Sequence, residues 1–414
     1  MKLKVCKWID SNIWGGLLLI DGEHCYACCI KPNFNIFDDN RRIKFKDINV
    51  IELQEARKKL LKDLNNDIRH ECDNCEFLVE KEEEDINVGP LSYLSIANFK
   101  TCNLRCKYCY YTHEELGEKL LEDDAYILPI LKNFYNNGAI KKDGFCLAVA
   151  GGEPLLIKDL VECVNFMSKN MTNSILNLQS NSTITSRVKE IVYGLKNTDG
   201  VYKFLYTSID AGTEENYTKI RGNNLYKNLI ENLVMYAENS IFNEIDLKYI
   251  LLEDDEQKIN NLSEEDVIGF CNIVKLIKIK NKNKTIVTLD KDLRTNGNEI
   301  SDKMLEAAGK IYYICKELLK VDVNFIGGGL VENSKVEIEN IEKIKVYSNF
   351  DKSKYIYMFD LEKISKRINN IDRIAWWIPI RKWRDSFRNK MLNTDQTRPD
   401  QTRPDHTYIM IAIL

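Results

Sequence analysis

No apolar run in the sequence is long enough to cross a bilayer, and neither sign of charge dominates. With 59 Lys and Arg against 63 Asp and Glu, the net charge of −4 lacks the basic surplus of a general nucleic-acid binder. Proline is scarce, at 7 in 414 residues, and glycine stands at 19, which excludes collagen-like and low-complexity architectures. A hydrophobic fraction of 44% is too high for disorder, and the length allows two or three domains or one large α/β domain with appendages. The start of the sequence does not read as an export signal either. The apolar stretch Ile13–Ile20 is short and bracketed by Asp10 and Asp21, which reads as mature protein.

Cysteine is what the chain has: 13 in all, nine of them within the first 109 residues. An odd count without an export signal points to a reducing cytoplasm and to thiols that bind metal rather than form disulfides. Residues 1–88 form the Cys-rich block, with a helical middle over Val50–Leu64. The acidic run Lys81–Pro90, ending in Gly-Pro, marks its boundary.

From 89 to 328 the pattern becomes regular. Apolar runs at Tyr93–Ala97, Phe145–Ala150, Ile175–Gln179, Phe204–Ile209, Leu247–Leu252, Ile286–Leu289 and Val321–Ile326 read as strands. Between them, Glu118–Asn136, Lys158–Lys169, Ser186–Leu195, Leu225–Ala237, Glu264–Ile279 and Asp302–Leu319 have helical period. Such alternation predicts a parallel sheet covered by helices. Residues 329–392 are a C-terminal extension. The segment 393–414, with its pentapeptide duplicated at Asp395–Pro399 and Asp400–Pro404, reads as a disordered tail.

Directly after the first of these strands stands Cys102-Asn-Leu-Arg-Cys106-Lys-Tyr-Cys109. Three thiolates on one loop can ligate three irons of a cubane and leave the fourth open to a chelating small molecule. Together with His113 they could instead close a Cys3His zinc site. The next strand ends in Gly151-Gly152-Glu153-Pro154, where glycines admit close backbone approach and Glu153 suits a cationic amino group. Later strands run into Gln179-Ser-Asn181 and into Thr207-Ser208-Ile-Asp210-Ala-Gly212, followed by Arg221-Gly222. Each alone would be a turn or a helix cap. Gathered at the strand ends around a three-cysteine loop, they read as a binding site, since ligands of parallel α/β folds collect at that edge.

On these residues the sequence resembles the radical S-adenosylmethionine (SAM) superfamily. The cysteine spacing, Tyr108 before the last cysteine, the Gly-Gly-Glu-Pro and the Ser-Ile-Asp-Ala-Gly leading to Arg221-Gly222 carry the likeness, over roughly Leu91 to Leu289. The resemblance implies an α/β fold: a partial (β/α)6 TIM-like barrel with a small Cys-rich N-terminal domain. It implies a [4Fe–4S] cluster on Cys102, Cys106 and Cys109, with SAM at the open iron. Gly151, Gly152 and Glu153 would contact the methionine amino group, and Tyr108 would lie near the adenine. Asn181, Ser208 and Asp210 would serve the ribose or carboxylate, and Arg221 the carboxylate. The implied chemistry is reductive cleavage of SAM to a 5′-deoxyadenosyl radical that abstracts hydrogen from a substrate, fed by an external low-potential electron donor. That substrate stays open between a peptide and a sugar or glycan. From another class, the chain could be a zinc-stabilised interaction protein with a non-catalytic barrel.

A second cysteine set lies in the first block: Cys6, Cys25, Cys28, Cys29, Cys72 and Cys75. Its two Cys-x2-Cys pairs suit a zinc site stapling a small domain. The block also resembles a SPASM-type auxiliary-cluster module, although it precedes the barrel. That likeness implies a second [4Fe–4S] cluster on Cys29, Cys72, Cys75 and either Cys25 or Cys28, with Cys6 a ligand or a buried thiol. Cys146, Cys163, Cys271 and Cys315 sit alone in apolar runs and read as small core residues. Gly327–Gly329 reads as a tight turn. Trp376, Trp377 and Trp383, among Arg373, Arg381, Lys382, Arg384, Arg388 and Lys390, suit a helix in peripheral membrane contact, docked on an acidic partner, or packed on the barrel.

Overall fold

The protein begins with a strand pair that its charges select. β1 (Lys2–Cys6) runs antiparallel to β4 (Leu78–Glu82), with β2 (Gly16–Ile20), β3 (His24–Tyr26) and helix α1 (Val50–Asp63) between them in sequence. The register sets Lys2 opposite Glu82 and Lys4 opposite Glu80, so opposite charges face each other across the pair. The acidic run therefore starts as a strand, and Lys81 reaches the fully buried Asp10 at 2.7 Å. Trp8 fills this corner, its ring 4.6 Å from that of Trp14 and 5.8 Å from that of Tyr93. Gly16 is obligatory beneath it, since a Cβ there would meet the Trp8 ring at 2.4 Å. From α1, the buried Arg57 donates to the Ile9 and Gly89 carbonyls, both at 2.8 Å.

The regular region follows as β5 (Tyr93–Ala97), α2 (His113–Gly117), α3 (Leu128–Asn136), β6 (Cys146–Val149), α4 (Leu160–Asn170), β7 (Ser174–Gln179), α5 (Thr185–Leu195) and β8 (Val201–Ser208). It continues through α6 (Glu214–Arg221), α7 (Tyr226–Glu238), β9 (Glu244–Leu251), the hairpin β10 (Glu253–Asp254) and β11 (Ile259–Asn260), α8 (Glu264–Lys280), β12 (Lys284–Lys291), α9 (Asp302–Tyr312) and β13 (Asp322–Ile326). A single sheet takes the order β13-β12-β9-β8-β7-β6-β5-β2-β3, parallel at every pairing except β2 with β3. This is the α/β architecture expected from the alternation, a parallel sheet consistent with a partial barrel. The N-terminal block contributes to it directly, because the apolar Gly16–Ile20 lies alongside β5.

Caps explain the helix starts. Asn49, Thr112, Thr213, Ser263 and Ser301 each accept from a backbone N–H in the first turn that follows. The helix expected over Glu118–Asn136 is shorter and begins only at Leu128. Pro129 fits its first turn, and the Asp159 carboxylate caps it from a distant segment, accepting from Ile127 N–H at 3.0 Å and Leu128 N–H at 2.9 Å.

The structure, a computed structural model, describes residues 1–28, 36–37, 44–66, 72–73, 75, 77–196, 198–292, 300–326, 342–344 and 350–361. The chain divides into two compact units, Met1–Phe350 and Asp351–Leu414. In the second unit the described part contains one short helix, Ser353–Phe359. Cys29, Gly327–Gly329, the Trp- and Arg-rich stretch and the duplicated tail lie outside the described residues. Among the described residues no helix is long and apolar enough to cross a membrane.

Candidate active site

The strand exits of β5 and β6 are laced together by main-chain hydrogen bonds. Ala150 N–H donates to Ile96 O at 3.0 Å, Gly152 N–H to Phe99 O at 2.9 Å and Glu153 N–H to Thr101 O at 2.9 Å. Two glycines make this possible. Gly151 has φ +104, where a side chain would be strained, and a Cβ on Gly152 would lie 2.0 Å from Thr101 O. The three-cysteine loop thus starts from a rigid anchor.

Its far side is pinned as well. Arg105 N–H donates to Arg221 O and Lys107 N–H to Ile220 O, both at 2.9 Å, so the loop rests on the end of α6. Gly222 ends that helix at φ +72, and its missing Cβ admits Arg105 O, which would otherwise lie 2.4 Å away. Cys102 N–H donates to Leu116 O at 3.0 Å, and Cys109 N–H to Cys106 O at 3.2 Å. The Cys102 sulfur accepts from Leu104 N–H at 3.4 Å and from Asn181 Nδ2 at 3.6 Å. Burial pushes the Cys102 thiol up to about 11, the Glu153 carboxylate adding to the effect.

Glu153 occupies the centre of this cradle, fully buried. Its carboxylate accepts from Ser180 Oγ at 2.6 Å, Asn181 N–H at 2.8 Å and Leu155 N–H at 2.9 Å. Burial raises its pKa, and these three donors oppose the rise. The side chain foreseen as a partner for an amino group therefore ties the β6 and β7 exits together. Asn181 donates to Asn103 Oδ1 at 2.8 Å, and its own carbonyl oxygen accepts from Thr183 N–H at 3.0 Å and Thr183 Oγ1 at 2.7 Å.

Tyr108, Asp210 and Arg221 form a second buried group. Tyr108 hydroxyl bonds the Asp210 carboxylate and the Arg221 guanidinium, and Arg221 Nη1 reaches Asp210 Oδ2 at 2.8 Å. Asp210 Oδ1 accepts from Ile250 N–H at 2.8 Å. Asp210 has φ +58, an uncommon left-handed conformation for a non-glycine residue, held here by Asn261 Nδ2 on its carbonyl at 2.8 Å. Arg221 Nε remains buried without a partner. Ser208, half-buried, ends β8 beside Lys248 of β9.

Asn103, Ser180, Thr183 and Asn261 complete these networks and were not singled out in the sequence. A polar cluster on β8, β9 and β12 also escaped notice. Lys248 pairs with Asp290 at 2.8 Å, Thr288 hydroxyl donates to Asp246 at 2.6 Å, and the Lys248 ammonium lies 5.5 Å from the centre of the Tyr206 ring. Asp246 and Lys248, two residues apart in a strand buried on both faces, were the available signal.

Three thiols on one loop are the donor set that a cluster with one open iron would need. A Cys3His zinc site on Cys102, Cys106, Cys109 and His113 would need all four donors around one point. Among the described residues no three His, Cys, Asp or Glu side chains come close enough to hold a single ion. A cubane would assign each of the three thiolates to a different iron.

Of the second cysteine set, Cys6, Cys28 and Cys72 line one cavity. Cys25 does not join them. It pairs with Leu19 on β3, is fully buried, and has Arg57 as its charged neighbour.

The parallel α/β sheet thus carries three cysteines at the exit of one strand and a Gly-Gly-Glu turn at the exit of the next. Residues 99–264 match the family model of the Radical SAM superfamily. The GTP 3′,8-cyclase of Rippkaea orientalis is 30% identical over 142 residues, covering 33% of this chain and 40% of that one. The probable GTP 3′,8-cyclase of Methanococcus aeolicus is 23% identical over 224 residues, covering 53% and 70%. The chain thus spans about two fifths of the length of the Rippkaea enzyme. Among solved structures, SuiB of Streptococcus suis is similar at 16% identity and a TM-score of 0.40, over 69% of this chain and 59% of that one.

Proposed function

We propose that the chain is a radical SAM enzyme. Cys102, Cys106 and Cys109 hold a [4Fe–4S] cluster, and SAM occupies the cleft among Gly151, Gly152, Glu153, Asn181, Ser208, Asp210 and Arg221. The observation that carries this reading is the cysteine loop locked onto the Gly151–Gly152 turn by backbone contacts that no side chain at Gly152 could share. When bound, the cluster supplies the electron for reductive cleavage of SAM and so a 5′-deoxyadenosyl radical.

The protein's part is position and exclusion. Glu153 fixes the spacing of two strand exits, and the Tyr108–Asp210–Arg221 group closes the floor of the cleft against water. The partnerless Nε–H of Arg221 supports a contact with a carboxylate. For the substrate, Asp246 and Asp290 flank Lys248 on one face of the sheet. Two carboxylates beside one ammonium suit a polar substrate with its own donors, such as a peptide or a sugar, better than the polyphosphate of the nucleotide named for the relatives. A low-potential electron donor outside the chain completes the reaction.

The test is anaerobic reconstitution followed by incubation with SAM and dithionite. Wild-type protein is expected to release 5′-deoxyadenosine and Cys106→Ala none. Iron-loaded wild-type protein that leaves SAM intact would refute the assignment, and zinc without sulfide would favour an interaction protein.

A further inference from the structure

Just before their exits, β7, β8 and β9 repeat one pattern across their registers. Asn177 of β7 stands beside Phe204 of β8, which stands beside Glu244 of β9. One step nearer the cleft, Gln179 stands beside Tyr206, which stands beside Asp246. Alternation puts all six side chains on the same face of the sheet. Leu176, Leu178, Leu205 and Leu247 take the opposite face and are fully buried. The face with the six is not closed in that way: Gln179 is exposed, and Asn177, Phe204 and Tyr206 are half-buried. The two rings lie 6.4 Å apart with 25° between their planes. They form an apolar strip with amides along one side and carboxylates along the other.

Two buried acceptors beside this strip have no partner among the described residues, Asn177 Oδ1 and Asp246 Oδ1. The other Asp246 oxygen accepts from the Thr288 hydroxyl at 2.6 Å. A buried acceptor left unpaired calls for a donor from outside the chain. The lysines of this face are already engaged, Lys248 with Asp290 at 2.8 Å and Lys284 with Glu244 at 2.9 Å, so a phosphate finds no unpaired charge in them. β7, β8 and β9 are each paired on both sides, and their backbone cannot take up a peptide as an added strand. We propose that this ladder binds the hexose ring of an uncharged sugar substrate, with a C–H face of the sugar on Phe204 and Tyr206 and its hydroxyls donating to Asn177 and Asp246. A hexose combines the two features the strip selects, an apolar ring surface and hydroxyl donors at its edge. Gln179 directly precedes Ser180 and Asn181, and Tyr206 stands two residues before Ser208, so a ring held there borders the SAM cleft. That the bound sugar is the substrate rests on the radical SAM reading; that it binds does not.

The experiment is saturation-transfer NMR on the full chain. Its probes are methyl glucoside, methyl galactoside and N-acetylglucosamine, with acetyl-trialanine amide as a peptide and GTP as a nucleotide. At least one hexose is expected to receive saturation, strongest at its ring C–H protons, and the peptide and GTP none. Tyr206→Ala and Asp246→Asn, each with native circular dichroism, are expected to weaken the hexose signal about fivefold, while Tyr206→Phe keeps it. The proposal is overturned if no hexose receives saturation, or if the peptide or GTP does so in its place. It is also overturned if both Tyr206→Ala and Asp246→Asn bind the hexose as wild type does. Alanine at Cys102, Cys106 and Cys109 together is expected to leave hexose binding intact. Protein that binds a hexose but leaves SAM intact fails the radical SAM reading alone, and protein that cleaves SAM but binds no hexose fails this one alone.

Discussion

Replacing Gly152 by alanine presses a methyl group into the backbone of the cysteine loop. Its Cβ would lie 2.0 Å from Thr101 O and 2.6 Å from Lys100 O, and ordinary contact begins only near 3.4 Å. One of the two segments must therefore retreat by about 1.4 Å, the shortfall between those distances. Neither can swing aside as a side chain would, because Gly152 N–H and Glu153 N–H both bond the loop at 2.9 Å. Gly152 does not occupy the left-handed region, so the cost is steric and amounts to about 1–3 kcal/mol, as for other overpacked sites. A chain of this size survives that loss. Function should not, because Cys102 follows Thr101 directly and a misplacement of about 1 Å costs on the order of 10²-fold in rate. The expected outcome is a variant with native circular dichroism that cleaves SAM about 100-fold more slowly. Gly200→Ala is the control. Gly200 has φ +77 and no atom within 4 Å of its Cβ position. It should lose only about 1–2 kcal/mol to left-handed strain and keep full activity. Wild-type SAM cleavage by Gly152→Ala would refute the interlocking of the two loops.

Asp246 has its pKa raised from 3.8 to about 7 by burial, against the Thr288 hydrogen bond and the Lys248 charge. A carboxyl held higher in the folded than in the unfolded state contributes stability that is fully present below about pH 4 and lost as pH rises through 7. Denaturant titrations should show Asp246→Asn gaining on wild type by up to roughly 4 kcal/mol between pH 4 and pH 8; equal pH dependence in both proteins would contradict this. Asp210→Asn keeps a residue that tolerates left-handed backbone but leaves the buried Arg221 uncompensated, so unfolding free energy should fall by roughly 3–5 kcal/mol. A loss below about 1 kcal/mol would place that pair in the class of weak, solvated ion pairs.

Sequence alone determined what depends on near neighbours. The strands at Tyr93–Ala97, Ile175–Gln179 and Val321–Ile326 and the helices at Val50, Ser186 and Glu264 formed where period and caps placed them, because both signals act within one or two turns. The Cys102–Cys109 loop likewise has its three thiols within eight residues, a spacing that the sequence alone sets. Tertiary structure decided what depends on pairing between distant segments. The acidic run around Glu80–Glu82 became a strand because Lys2 and Lys4 arrived opposite it. Leu128, rather than Glu118, opens its helix because Asp159 caps it from the next segment. Glu153, foreseen as facing a ligand, ties two strand exits together because Ser180 and the Asn181 amide come within bonding distance. Cys6 came to line a cavity with Cys28 and Cys72, while Cys25 is buried on β3, because pairing joins segments that lie far apart in sequence.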